Sequence, residues 1–115
     1  MKPKESQIQK SILDWLALQP DVFAWRSPNH AVFDFKRQTF RRKAAYQRGV
    51  PDIIGICKIN GRVYTFALEV KRPGGKLSDE QREWLARFND KGGYGYMVDS
   101  LEDTIEIFEK ELRYK

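Results

Sequence analysis

Residues 52–71 read DIIGICKINGRVYTFALEVK, and this stretch decides the fold because it predicts a β-hairpin of known register. Two strand-like runs flank an Asn-Gly pair at 60–61, which strongly favours a two-residue type I′ turn. Counting outward from that turn along both strands places Asp52 opposite Glu69. Directly opposed residues point to the same face of a sheet, with Cβ atoms roughly 4.5–5.5 Å apart.

This pairing brings two carboxylates together and predicts a site between them. Like charges so placed repel each other, unless the pair shares a proton or holds a cation. Lys71 lies two residues beyond Glu69, so strand alternation places it on the same face. Two carboxylates suit Mg²⁺ or Mn²⁺, and an ammonium group suits a phosphate or an attacking water. The three side chains are the equipment of metal-assisted phosphodiester hydrolysis.

The rest of the chain predicts helices and strands around this hairpin. Apolar spacing predicts a helix over residues 4–18, and residues 22–25 could form a first short strand. Ser78 begins a capping-box pattern for a second helix, which ends at Gly92-Gly93. A strand is predicted over 94–98, and Ser100 caps a last helix.

Residues 27–49 are the least regular part, predicted as a long loop or as a loop with one short helix. The three tryptophans are expected in the core. The order of elements predicts an α/β fold, with a mixed sheet flanked by helices, in a single domain over residues 1–115.

The charge distribution favours an anionic partner. The chain has 115 residues, a net charge of +5 and one cysteine, Cys57. A segment without acidic residues carries six basic ones: Lys36, Arg37, Arg41, Arg42, Lys43 and Arg48. We interpret it as an arm that binds DNA phosphates, although such a segment can also be a solvated loop.

No apolar run approaches the roughly 20 residues of a membrane span, and no secretory signal is visible. A single cysteine is typical of a reducing compartment. We therefore expect a cytoplasmic protein, of prokaryotic or phage origin, that uses neither a membrane nor an organic cofactor.

Three motifs resemble those of a known nuclease family. They are GVPD at 49–52, EVK at 69–71, and a Leu-Ser-x-x-Gln helix start that ends at Gln81. Together with a glutamate on a leading helix, Glu5, they are similar to the VRR-NUC (virus-type replication-repair nuclease) family of the PD-(D/E)XK superfamily. The resemblance covers nearly the whole chain and implies a restriction-endonuclease-like core.

The resemblance also implies roles for individual residues. Asp52 and Glu69 would bind Mg²⁺ or Mn²⁺ with help from the Val70 carbonyl, and Lys71 would position or activate the attacking water. Glu5 could reach the metal through water, and Gln81 would lie beside the site. Two simpler interpretations stay open, because Glu5 suits a first helical turn and Gln81 can cap its own helix.

The function that follows is a metal-dependent DNA endonuclease. The resemblance implies a homodimer acting on Holliday junctions or other branched DNA, and products with a 5′-phosphate and a 3′-hydroxyl. The long basic insert before Gly49 departs from the family pattern and bears on substrate preference. Alternatives are a flap or duplex nuclease with the same chemistry, a non-catalytic nucleic-acid-binding module, and a transcription regulator that uses the basic segment.

Overall fold

A computed structural model describes residues 3–27, 33–34, 36–40 and 48–113, with the backbone alone for 33–34 and 39–40. The helices are α1 (Glu5–Ala17), α2 (Asp79–Asp90) and α3 (Leu101–Ile107), and a π-helical segment (Phe108–Leu112) continues α3. The strands are β1 (Val22–Arg26), β2 (Phe33–Asp34), β3 (Thr39–Phe40), β4 (Ile53–Ile59), β5 (Arg62–Val70) and β6 (Tyr94–Val98).

Four strands form one mixed sheet in the order β1-β4-β5-β6. Strand β4 runs antiparallel to both β1 and β5, whereas β6 runs parallel to β5, to which α2 connects it as a crossover. Helices lie on both faces of this sheet. The predicted α/β class, with a mixed sheet flanked by helices, is confirmed.

The β4–β5 hairpin has the predicted turn and register. Asn60 and Gly61 both have positive φ, 52° and 79°, as a type I′ turn requires. Ile59 pairs with Arg62, and the ladder runs unbroken to the pairing of Ile53 with Leu68. The next position outward therefore sets Asp52 beside Glu69, as the sequence predicts.

The main core lies between one sheet face and the helices α1 and α3. Strand β5 contributes Phe66, Leu68 and Val70 to this face, and all three are fully buried. The ring of Phe66 meets that of Phe108 edge-on, with centroids 5.0 Å apart. Each such buried side chain stabilises the fold by about 1.5–3 kcal/mol, so this face anchors the strand that carries Glu69.

Helix α2 lies on the opposite face, over β6. Gly95 allows the close approach, because a Cβ there would lie 2.7 Å from Leu85 and 3.3 Å from Phe88. Asn89 fastens the contact, since its side chain accepts a hydrogen bond from the Gly95 N–H (2.7 Å) and donates one to its carbonyl (3.3 Å). These contacts hold the C-terminal half of α2 against β6.

Two expectations were wrong. Residues 27–49 were expected to form a loop or a loop with one helix, but their described part contains β2 and β3, paired as a small antiparallel sheet. Trp25 was expected in the core, but 44% of its surface is exposed.

Within the described ranges, no helix is long and apolar enough to cross a membrane.

Candidate active site

The carboxylate of Asp52 is held at the end of the hairpin by backbone contacts. Its Oδ2 accepts a hydrogen bond from the Val70 N–H at 2.9 Å. Its own carbonyl accepts one from the Ser27 N–H at 2.8 Å, which continues the β1–β4 pairing past the strand end. Asp52 is thus fastened to both neighbouring strands, and its side chain lies beside that of Glu69.

Glu69 is a buried acid with an unusual environment. Only 2% of its surface is exposed, and no hydrogen-bond partner reaches Oε2 among the described residues. Burial, and next the Asp52 carboxylate, raise the pKa of Glu69 to about 9. A buried carboxylate oxygen without a donor is costly, so a proton shared with Asp52 or a cation is needed there.

Gln81 joins α2 to this acid. Its Nε2 donates to Oε1 of Glu69 at 2.8 Å, while its Oε1 accepts from the Ser78 N–H at 2.9 Å. The two interpretations that the sequence left open for Gln81 are therefore compatible. One amide caps the helix and also holds Oε1 of Glu69, which leaves Oε2 as the oxygen without a partner among the described residues.

Gly49 brings the segment that ends in Asp52 against the same helix terminus. It has φ +73°, a conformation that favours glycine, and its α-carbon packs on the Glu80–Gln81 peptide. A Cβ at this position would lie 2.6 Å from the Glu80 carbonyl carbon and 3.0 Å from the Gln81 nitrogen. The close contact sets the distance between the Asp52 segment and Gln81.

Lys71 and Glu5 complete the predicted set. Lys71 is half-buried, its N–H donates to the Val98 carbonyl at 2.9 Å, and its charge partly offsets the rise in the Glu69 pKa. The charge of Glu5 acts on the same acid in the opposite direction and is the weakest of the causes. Both residues are near enough to act on Glu69 through charge.

The donor set fits one hard divalent cation. Asp52 and the unpartnered Oε2 of Glu69 offer carboxylate oxygens, the ligands that Mg²⁺ and Mn²⁺ prefer. Where the structure is described, no three acidic, histidine or cysteine side chains come close enough to hold a metal ion. The remaining ligands would be water and backbone oxygen, for which the Val70 carbonyl stays the prediction.

The predicted DNA-binding residues are only partly visible. Lys36, Arg37 and Arg48 have exposed side chains, whereas Arg41, Arg42 and Lys43 lie outside the described residues. The sequence reasoning missed Arg72 and Lys76, which are exposed on the loop between β5 and α2, next to Lys71. The sequence carried a signal for them, because residues 71–78 contain three basic residues and no acidic one, directly after Glu69-Val70.

Metal binding should release a proton. Because the pKa of Glu69 is raised to about 9, its carboxyl is protonated at pH 7, and a cation must displace that proton. We expect Mg²⁺ affinity to rise nearly tenfold per pH unit between about pH 5 and 9. Calorimetric titration in two buffers of different ionisation enthalpy should show about one proton released per ion at pH 7. Affinity that does not change with pH would contradict this assignment.

Comparisons with known proteins agree with the motifs. The family model of the VRR-NUC domain matches residues 3–100. A solved structure described as a VRR_NUC domain protein is similar with a TM-score of 0.70 and 19% identity, covering 100% of this chain and 93% of that chain. No curated protein sequence matches. The architecture is consistent with a PD-(D/E)XK-like core.

Proposed function

Because this chain belongs to the VRR-NUC domain family, a nuclease-type family, we propose that it is a Mg²⁺- or Mn²⁺-dependent DNA endonuclease. One observation carries the proposal beyond the family. Glu69 is 2% exposed and lies beside Asp52, and no hydrogen-bond partner reaches its Oε2 in the described part of the chain. Without an ion the two acids have to share a proton, whereas a divalent cation between them would satisfy this oxygen and serve phosphodiester hydrolysis.

Each residue of the site has its own role in phosphodiester hydrolysis. Asp52 and Glu69 hold the ion, and the Val70 N–H and Gln81 amide orient them at 2.9 and 2.8 Å. When bound, a divalent ion polarises the scissile phosphate and lowers the pKa of the attacking water. Lys71 orients that water and stabilises charge on the phosphate, and Glu5 contributes through water. Arg72 and Lys76 contact flanking phosphates.

The substrate is branched DNA, with Holliday junctions as the leading candidate. Each chain presents one carboxylate pair, whereas symmetrical cutting of two strands needs two. A two-fold homodimer would supply both and would match the near-symmetry of a four-way junction. The exposed Lys36, Arg37 and Arg48 and the rest of the basic segment contact the DNA backbone, which makes binding strongly salt-dependent.

The test compares labelled four-way junction, flap and duplex DNA with Mg²⁺, with Mn²⁺ and with EDTA. We expect cutting with either ion, none in EDTA, and none by Asp52→Asn under any condition. Asn keeps an oxygen for the Val70 N–H, so Asp52→Asn should still fold and bind. Unchanged cutting by Asp52→Asn would refute the site. Binding without cutting under any divalent ion would favour the non-catalytic module.

A further inference from the structure

Two exposed aromatic side chains lie at the β1 edge of the sheet face that carries the carboxylates. Phe23 and Trp25 project from β1 on this face, with 67% and 44% of their surface exposed. Their rings lie next to each other, with centroids 5.7 Å apart and planes inclined by 50°. Large exposed aromatics beside a polar site commonly mark a binding surface.

The register places this pair next to the proposed metal site. Trp25 is opposite Ile54, which lies two residues from Asp52 on the same strand and so on the same face. Because β1 and β4 are neighbouring strands, the Trp25 and Asp52 Cα atoms are roughly 8 Å apart. Phe23 is two residues before Trp25 on β1 and pairs with Ile56. The two rings therefore form a row in which Trp25 is nearer to the carboxylates and Phe23 is farther from them.

The two sides of this sheet face differ in how far the described helices cover them. Toward β6 the face is covered by α2, where Leu85 and Phe88 pack on Gly95. Toward β1 no described helix covers it, and Ile56 and Trp25 remain partly exposed. A strand whose phosphodiester reaches Asp52 and Glu69 can therefore extend over Trp25 and Phe23.

Away from the carboxylate pair, the strands carry no acidic residue on this face that would repel a polyanion. In the four-stranded sheet, the only acidic residue that alternation places on this face is Glu69, with Asp52 just beyond β4. Lys58 is exposed on the same face. A second copy of the chain seated on the rings would block the approach to the carboxylates, whereas a nucleic acid strand would use the surface and the site together.

We propose that Phe23 and Trp25 form a stacking platform for unpaired bases next to the scissile phosphodiester. Base–aromatic stacking accepts every base, since each has a π-face. The inference rests on the proposed nuclease function and narrows its substrate class to nucleic acid with unpaired nucleotides beside the cut. Flaps, overhangs and opened branch points qualify, and fully paired linear duplex does not.

The experiment measures binding without cleavage, in EDTA, by fluorescence anisotropy. The probes are a labelled duplex with a single-stranded overhang and the same duplex with blunt ends. Phe23→Ala and Trp25→Ala should each weaken binding of the overhang duplex about tenfold and leave the blunt duplex unchanged. Trp25→Phe should retain most of the affinity. Val63→Ala, which trims a side chain on the same face that is 61% exposed, should change neither.

Equal binding of both probes by the wild-type protein, or an unchanged affinity in Trp25→Ala, would overturn the platform. The platform would also be overturned if Trp25→Ala lost its dimer in analytical ultracentrifugation, because a second copy would then occupy the surface.

Cleavage by the wild type, measured separately with Mg²⁺, distinguishes the two proposals. A protein that cuts but binds independently of Trp25 refutes only the platform. One that binds through Trp25 without cutting supports the platform and refutes the nuclease.

Discussion

Replacing Glu69 by Gln is expected to abolish metal-dependent cleavage, with a loss on the order of a thousandfold or more. The substitution removes one of the two carboxylates but keeps the oxygen that accepts the Gln81 hydrogen bond at 2.8 Å. The side-chain volume is nearly unchanged, so packing should be preserved. The measurement is the single-turnover cleavage rate of the best branched substrate with Mg²⁺ and with Mn²⁺.

The same variant should be more stable than the wild type at alkaline pH without metal. The pKa of Glu69 is raised from 4.5 to about 9 in the folded protein. The stability that its bound proton contributes is therefore fully present below about pH 4.5 and is lost as pH rises through about 9. Gln has no proton to lose, so Glu69→Gln should show a smaller fall in Tm between pH 5 and 9 in EDTA.

Glu83→Gln is the matched control, because Glu83 is exposed on α2. It should leave both the cleavage rate and the pH dependence of Tm unchanged. Normal cleavage by Glu69→Gln would show that Glu69 has no role in the mechanism. If the Tm of Glu69→Gln fell with pH as steeply as that of the wild type, Glu69 would not be the buried protonated acid.

Replacing Gly49 by Ala is expected to cost about 3 kcal/mol and to lower Tm by roughly 10 °C or more. A methyl group there would clash with the Glu80–Gln81 peptide, and the φ of +73° disfavours any residue with a side chain. Because the contact sets Asp52 against Gln81, cleavage should also fall at temperatures where the variant is still folded. Thermal unfolding and the cleavage rate at low temperature measure the two effects.

Gly61→Ala separates the close contact from the backbone conformation. Gly61 has φ +79°, but nothing lies within 4 Å of a Cβ there. This variant should lose only about 1 kcal/mol and keep its activity. If Gly49→Ala were no worse than Gly61→Ala in either measurement, the contact between Gly49 and the α2 terminus would have no role in assembling the site.

The hairpin and its acidic pair could be predicted because local chemistry determines them. The turn at 60–61 requires positive φ at two successive residues, which an Asn-Gly pair readily adopts. A two-residue turn leaves one register, and the register alone places Asp52 beside Glu69. The ends of α2 and the bounds of β6 followed from Ser78 and the Gly92-Gly93 pair, which also act within a few residues.

Features that depend on tertiary contacts could not be predicted. Strand β1 reads Val-Phe-Ala-Trp-Arg, and with four apolar residues in succession no alternation shows which face is exposed. Strands β2 and β3 have two residues each, too few for a periodic pattern. The approach of Gly49 to α2 depends on how the helix packs across the sheet, so the sequence predicted a motif glycine without its partner.

We propose that Asp52 and Glu69 hold one divalent ion between them, and a crystal soaked in Mn²⁺ would show whether an ion binds there. We expect an anomalous peak within about 2–2.6 Å of an oxygen of each carboxylate, and no such peak in Glu69→Gln crystals treated identically. A well-ordered crystal with both carboxylates visible and no anomalous peak between them, at a pH near 9, would contradict it.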